Sequence, residues 1–189
     1  MRNILGAHRD EICTETERLI MRRWRESDLE PFAAMGADPR VMEFFPACLS
    51  REESAALISR IEDRFEQNGF CWWALERKED GAFLGFAGLN RPEFAAPFMT
   101  CVEVGWRLAF SHWGQGYASE AGRASIAYAF DNLRESEVVA FTARDNKRSR
   151  AVMERLGMTY DPIDDFDHPS LPPGHDLERH VLYRIRRGL

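Results

Sequence analysis

The chain is 189 residues long, with 25 Lys+Arg against 31 Asp+Glu and a formal net charge of −6. Hydrophobic residues make up 44% and charged residues 30%, which excludes a disordered or fibrous polymer and leaves enough apolar material for one core. An acidic chain is a poor partner for nucleic acid or an anionic membrane, because basic surface holds both.

Cys13, Cys48, Cys71 and Cys101 lack CxxC spacing and read as separate thiols rather than a zinc or redox motif. No apolar run reaches the ~18 residues of a spanning helix, and the polar residues 1–12 are unlike a signal peptide. The expectation is a single cytoplasmic domain over 1–189, a monomer or homodimer, with its core at about 16–186 and residues 1–15 as an N-terminal extension.

The first periodic segment, 18–24, is short and partly alternating, so a strand is predicted. Ser27 and Asp28 offer N-cap chemistry for a helix to about Gly36, and Asp38-Pro39 breaks it. Ser50-Arg-Glu-Glu53 is a capping box ahead of Ala55, Ile58, Ile61 and Phe65, and Asn68-Gly69 ends that helix. Strands follow at 70–76, 83–89 and 101–110, the first two joined by the turn signal Glu79-Asp-Gly81. A helix over 116–133 presents small residues, 137–142 reads as a buried strand, and a helix over 146–156 stops at Gly157. A Pro-rich loop over 161–174 leads to a last strand at 180–185. The order β-α-α-β-β-β-α-β-α-β predicts an α/β fold, one mixed sheet with helices on both faces.

Chemistry concentrates in Trp106-Arg-Leu-Ala-Phe-Ser-His-Trp-Gly-Gln-Gly-Tyr-Ala-Ser-Glu120, where a strand enters a glycine loop that opens into a helix. Free N–H groups and the helix dipole converge there, and Gly114 and Gly116 remove the Cβ atoms that would keep a phosphate away. An ordinary strand–helix turn would carry the same residues. No GxxxxGK[ST] exists, which excludes a Walker loop, and Ser119 occupies the third glycine of a dinucleotide fingerprint, so that reading is weak.

Trp113-Gly-Gln-Gly-Tyr-Ala118 resembles the acetyl-CoA pyrophosphate loop of the GNAT N-acetyltransferases, Gln/Arg-x-x-Gly-x-Gly/Ala, with Gly116 and Ala118 at its fourth and sixth positions. Asn146-Lys-Arg-Ser149 and the helix ending Leu-Gly157-Met158 resemble the family's second signature. Glu103-Val-Gly-Trp-Arg-Leu108 and Arg179-His-Val-Leu-Tyr-Arg184 are similar to the branch of ribosomal-protein N-terminal acetyltransferases of the RimJ and RimL type. The resemblance covers about 16–186.

It implies a twisted sheet that splays between the strands at 103–110 and 137–142. The pantetheine arm of acetyl-CoA would pair with backbone near Leu108 and Phe110, and the pyrophosphate would sit on the N–H groups of Gly114, Gln115, Gly116, Tyr117 and Ala118. Asn146 and Ser149 would contact the cofactor from the far side, although the residues by themselves read as polar groups of a helix N-terminus, Asn146 above all. The implied activity is direct acetyl transfer, within a ternary complex, to a primary amine on a protein N-terminus or a small molecule. An acyl-CoA-binding sensor without efficient catalysis is the alternative.

Glu103 is the candidate base, with an exposed strand glutamate as the ordinary reading of the same residue. Two positions depart from the family. Trp113 replaces the usual Gln or Arg, and Met153 stands where many members have a Tyr that protonates the leaving thiolate. Tyr117, Ser149 and Tyr160 are the substitutes on offer. The Asp/His-rich stretch from Asp161 to His180 matches no standard ligand spacing, so no metal is expected. Phe44, Phe45, Phe94, Phe98 and one of Trp72 and Trp73 are candidates for acceptor-pocket walls. The net acidity gives a mild preference for a cationic acceptor.

Overall fold

Glu79-Asp80-Gly81 turns the chain as its residue types require: Gly81 takes a left-handed φ of 72°, and the Arg77 N–H reaches the Ala82 carbonyl at 2.9 Å. The turn joins β3 (Trp72–Arg77) to β4 (Phe83–Asn90) as an antiparallel pair. In the computed structural model, which describes residues 11–96 and 98–188, the other strands are β1 (Ile12–Glu15), β2 (Leu19–Arg22), β5 (Glu103–Leu108), β6 (Glu137–Ala143), β7 (Thr159–Tyr160), β8 (Phe166–Asp167) and β9 (Arg179–Arg186). They form one mixed sheet in the order β1-β2-β3-β4-β5-β6-β9-β7, with β8 also on β9.

The helices are α1 (Leu29–Gly36), α2 (Arg51–Asn68), α3 (Tyr117–Asp131) and α4 (Lys147–Arg155). The α2 start is the capping box read from sequence, with the Glu53 N–H donating to Ser50 Oγ at 3.1 Å and the Ser50 N–H to Glu53 Oε2 at 2.7 Å. Gly69 and Gly157 stop α2 and α4 with φ of 77° and 79°. Phe32 of α1 packs on Phe86, and Arg64 of α2 bonds Asn90, so α1 and α2 cover one sheet face. On the other face α3 sets Tyr128 against Trp73 and brings Gly122 beside Trp106.

Three features depart from the sequence reading. Asp28 does not cap α1 with its side chain; it is buried and takes two bonds from the Arg22 guanidinium, at 2.7 and 2.9 Å. A buried carboxylate is retained where a guanidinium neutralises it, and Arg22 supplies that charge. The strand expected over 101–110 ends at Leu108, because 110–112 coil into a short helical turn. Strands β1, β7 and β8 were not anticipated: β7 and β8 are two residues each, too short for alternation to show. Strand β1 lies within the N-terminal extension, of which 1–10 fall outside the described residues.

Candidate active site

β5 and β6 run parallel but pair at one position only, Glu103 with Val139, where the Val139 N–H reaches the Val102 carbonyl at 2.9 Å. Beyond it the strands part, as the resemblance implied. Alternation turns the main-chain groups of Trp106 and Leu108 toward the gap, since Ala109 turns its N–H to Leu84 on β4. The parted strands thus leave an open edge, a place where an extended ligand can hydrogen-bond as an added strand would. The gap opens into a cleft of about 1110 Å³.

One end of the cleft is the glycine loop. Gly114 and Gly116 have φ of 73° and 84°, backbone that β-carbon-bearing residues rarely adopt. Gly116 precedes α3 without a side-chain cap, and the first helical bond runs from the Glu120 N–H to its carbonyl. The N–H groups of Tyr117, Ala118 and Ser119 are therefore left without intrahelical acceptors, at the positive end of the helix dipole. Arg18 braces the loop, bonding the Gln115 carbonyl at 3.1 Å and Glu120 Oε2 at 2.7 Å while lying over Tyr117.

On the opposite sheet face, Glu103, Gly105 and Arg107 line the cleft floor. The Glu103 carboxyl accepts a bond from Asn90 Nδ2 at 3.2 Å, and Asn90 Oδ1 in turn accepts from Arg64 at 2.9 Å. Burial pushes the Glu103 carboxyl up to about 7, against the lowering effects of Asn90 and Arg64. A carboxyl poised there exchanges protons at neutral pH. Across the gap, Phe94, Phe141, His168 and His180 form the opposing wall, and desolvation draws His180 down to about 4, leaving it neutral.

The predicted residues fare unequally. Leu108, Gly114, Gly116, Tyr117, Ala118, Asn146 and Ser149 all line the cleft. Gln115 turns its side-chain amide back to the Ser111 carbonyl at 3.1 Å, leaving only its backbone for a ligand. Phe110 lies in the helical turn, 43% exposed and stacked under Arg40, so it offers no strand edge to pair with. Asn146 acts as a cap, accepting the Ser149 N–H at 3.2 Å and donating to Thr142 at 2.9 Å. The Trp113 indole donates to the Leu108 carbonyl at 2.8 Å. Met153 is buried against the cleft, whereas Tyr160 stacks on Tyr183, bonds Asp165 and does not line it.

Sequence reasoning missed Asn90, Arg64, Arg107 and the two histidines as cleft residues. The alternation of β5 carried a signal for one of them, since Glu103, Gly105 and Arg107 share a face. His168 and His180 gave no such signal: only the pairing of β8 with β9 brings them together.

A sheet parted between two parallel strands, beside a glycine loop that opens a helix, is the architecture of the N-acetyltransferases the sequence resembles. The model of the acetyltransferase (GNAT) domain matches residues 18–159. An uncharacterized protein of Bacillus subtilis, YkkB, is 30% identical over 146 residues, covering 77% of this chain and 84% of its own. The FsC-acetyl coenzyme A-N(2)-transacetylase of Aspergillus fumigatus is 41% identical over 112 residues, 57% of this chain and 47% of that one. A solved ribosomal-protein-S5-alanine acetyltransferase from Vibrio fischeri superposes with a TM-score of 0.72 over 93% of this chain and 97% of its own, a likeness of fold at 16% identity. The chain belongs to the GNAT acetyltransferase family and is an N-acetyltransferase.

Proposed function

We propose that the protein transfers acetyl directly from acetyl-CoA to a primary amine within a ternary complex. The pyrophosphate sits on the N–H groups of the 114–118 loop, whose two left-handed glycines admit it. Asn146 and Ser149 form the facing wall at the start of α4. The pantetheine lies along the open edge at Trp106 and Leu108, and the Leu108 N–H polarises the thioester carbonyl.

The observation that carries this reading is Glu103, a carboxyl raised to about 7 at the point where β5 and β6 part. As carboxylate it takes a proton from the acceptor ammonium, directly or through water. The freed lone pair attacks the thioester carbonyl, the C–N bond forms, the C–S bond breaks, and CoA leaves as a thiolate that takes up the proton shed by the new amide nitrogen. With Met153 in the helix wall, no tyrosine serves as acid there; a thiol of pKa about 8.5 leaves without one.

A panel of primary amines, with release of free CoA thiol as readout, tests the reading. Turnover with at least one amine is expected. Absence of turnover with every amine, while acetyl-CoA binds and stabilises the fold, would replace it with that of an acyl-CoA-binding module.

A further inference from the structure

Two side chains on the cleft floor hold donors with no acceptor: Trp72 Nε1, Arg107 Nε and Arg107 Nη1 are buried without a hydrogen-bond partner among the described residues. Cross-strand pairing sets Trp72, Gly88 and Gly105 in one row and Phe86 with Arg107 in the next. The missing side chain of Gly105 leaves room for the Trp72 indole over the floor; a Cβ there would lie 3.3 Å from Nε1. The Arg107 guanidinium is held between the rings of Phe45, at 3.9 Å, and Phe86, at 5.3 Å.

Among the described residues no carboxylate pairs with this cation, and burial alone draws it down to about 10. A half-buried guanidinium with two of its three nitrogens withdrawn from water is costly unless a ligand at the cleft brings the missing anion. Its planar fork suits a carboxylate, which takes two parallel N–H bonds. Nor is it placed for the phosphates of the cofactor: Arg107 lies on the face covered by α1, while the loop and α3 lie on the face of Trp106.

We propose that the acceptor amine carries a carboxylate several bonds from its nitrogen, bound by Arg107 and the Trp72 indole while the amine sits at Glu103. The proposal rests on reading the cleft as a site of acetyl transfer to an amine. The spacing follows from the strand: Glu103 and Arg107 are four residues apart on one face, roughly 13 Å between their backbones along β5, a span their own side chains shorten, with Trp72 lying over the residue midway. An α-amino acid is too short to bridge that span, and a chain of several methylenes or a short peptide fits it. The local charge thus reverses the preference for a cationic acceptor that the net charge of −6 suggested.

The test uses the whole protein loaded with CoA. Calorimetric titration compares 6-acetamidohexanoate with its uncharged primary amide, and kcat/KM is measured for glycine, 4-aminobutanoate, 6-aminohexanoate and 8-aminooctanoate against the matching alkylamines. Amidated Ala-Glu-Ala against Ala-Gln-Ala tells an acidic peptide from a free amino acid as the carrier. A preference for the carboxylate of roughly 10- to 100-fold is expected, absent for glycine and largest at an intermediate length. R107M keeps the stem, removes an uncompensated charge and is expected to fold; it should abolish the preference, and R107K, which keeps charge without the fork, should retain part of it. Equal affinity of the wild type for acid and amide, or a preference that survives in R107M, overturns the proposal. If no amine is acetylated but acid-over-amide binding holds and is lost in R107M, the anion site stands and the acetyl-transfer reading falls.

Discussion

Asn90 Nδ2 donates to Glu103 Oε2 at 3.2 Å, directly across the β4–β5 pairing, so the candidate base is held by its opposite neighbour. Desolvation raises the Glu103 carboxyl to about 7, and the Asn90 bond and Arg64 limit the rise. At neutral pH the carboxyl is therefore about half ionised, and kcat/KM should rise with pH through about 7. Glu103→Gln should lower kcat/KM roughly 100-fold and move the pH optimum up toward the pKa of the acceptor amine, with acetyl-CoA affinity unchanged. Asn90→Ala removes a bond that favours the charged form, so its pH–rate limb should move upward with the plateau kept. A pH–rate series on the three proteins checks this; an unaltered limb in Glu103→Gln would leave Glu103 structural.

The same carboxyl predicts a pH dependence of stability. Its folded pKa, about 7, lies above the unfolded value of about 4.3, so the folded chain holds the extra proton between those limits. Stability from this group is full below about 4.3 and is lost as pH rises through 7. Denaturant unfolding at pH 5 and pH 8 should show Glu103→Gln gaining on the wild type by an amount on the order of 2 kcal/mol at the higher pH.

Gly114 and Gly116 separate conformation from space. A Cβ at Gly114 meets nothing within 4 Å, whereas one at Gly116 lies 3.4 Å from Arg18 Nη2. Gly114→Ala should cost about 1 kcal/mol of stability through its left-handed φ alone. Gly116→Val should cost more and weaken acetyl-CoA binding at least about tenfold, because a branched side chain strains the left-handed backbone and presses on Arg18, which braces the loop ahead of the free N–H groups of α3. Thermal unfolding and calorimetric titration of the two variants check the order; full affinity in Gly116→Val would remove the loop from the cofactor site.

Gly85 carries a further prediction for the shape of the floor. Its φ is 135°, and a Cβ would lie 2.2 Å from the Arg107 carbonyl and 2.7 Å from the Leu108 Cα. Gly85→Ala must push β5 away from β4, so a loss of about 3 kcal/mol or more is expected, with lowered activity in whatever fraction remains folded. Equilibrium unfolding measures the first and thiol release the second.

Local chemistry announced much of this molecule. The Ser50 capping box, the Gly69 and Gly157 stops and the Gly81 turn stand where their residue types required, because caps and left-handed turns depend on neighbours a few bonds away. The order of long elements, the glycine loop opening α3 and the candidacy of Glu103 were legible for the same reason.

What the chain alone left open depends on contacts between distant segments. Asp28 reads locally as a cap, yet a buried Arg22 claims it; Asn146 reads as a ligand or a cap, and Thr142 and Ser149 hold it as a cap. Strands β7 and β8 exist only because β9 provides an edge for two residues at a time. Sequence by itself determined which local backbones form and the family they belong to. Tertiary structure decided what the cleft floor presents, because the Arg107 and Trp72 donors lack acceptors among the described residues through everything that fails to approach them, and no local pattern records that.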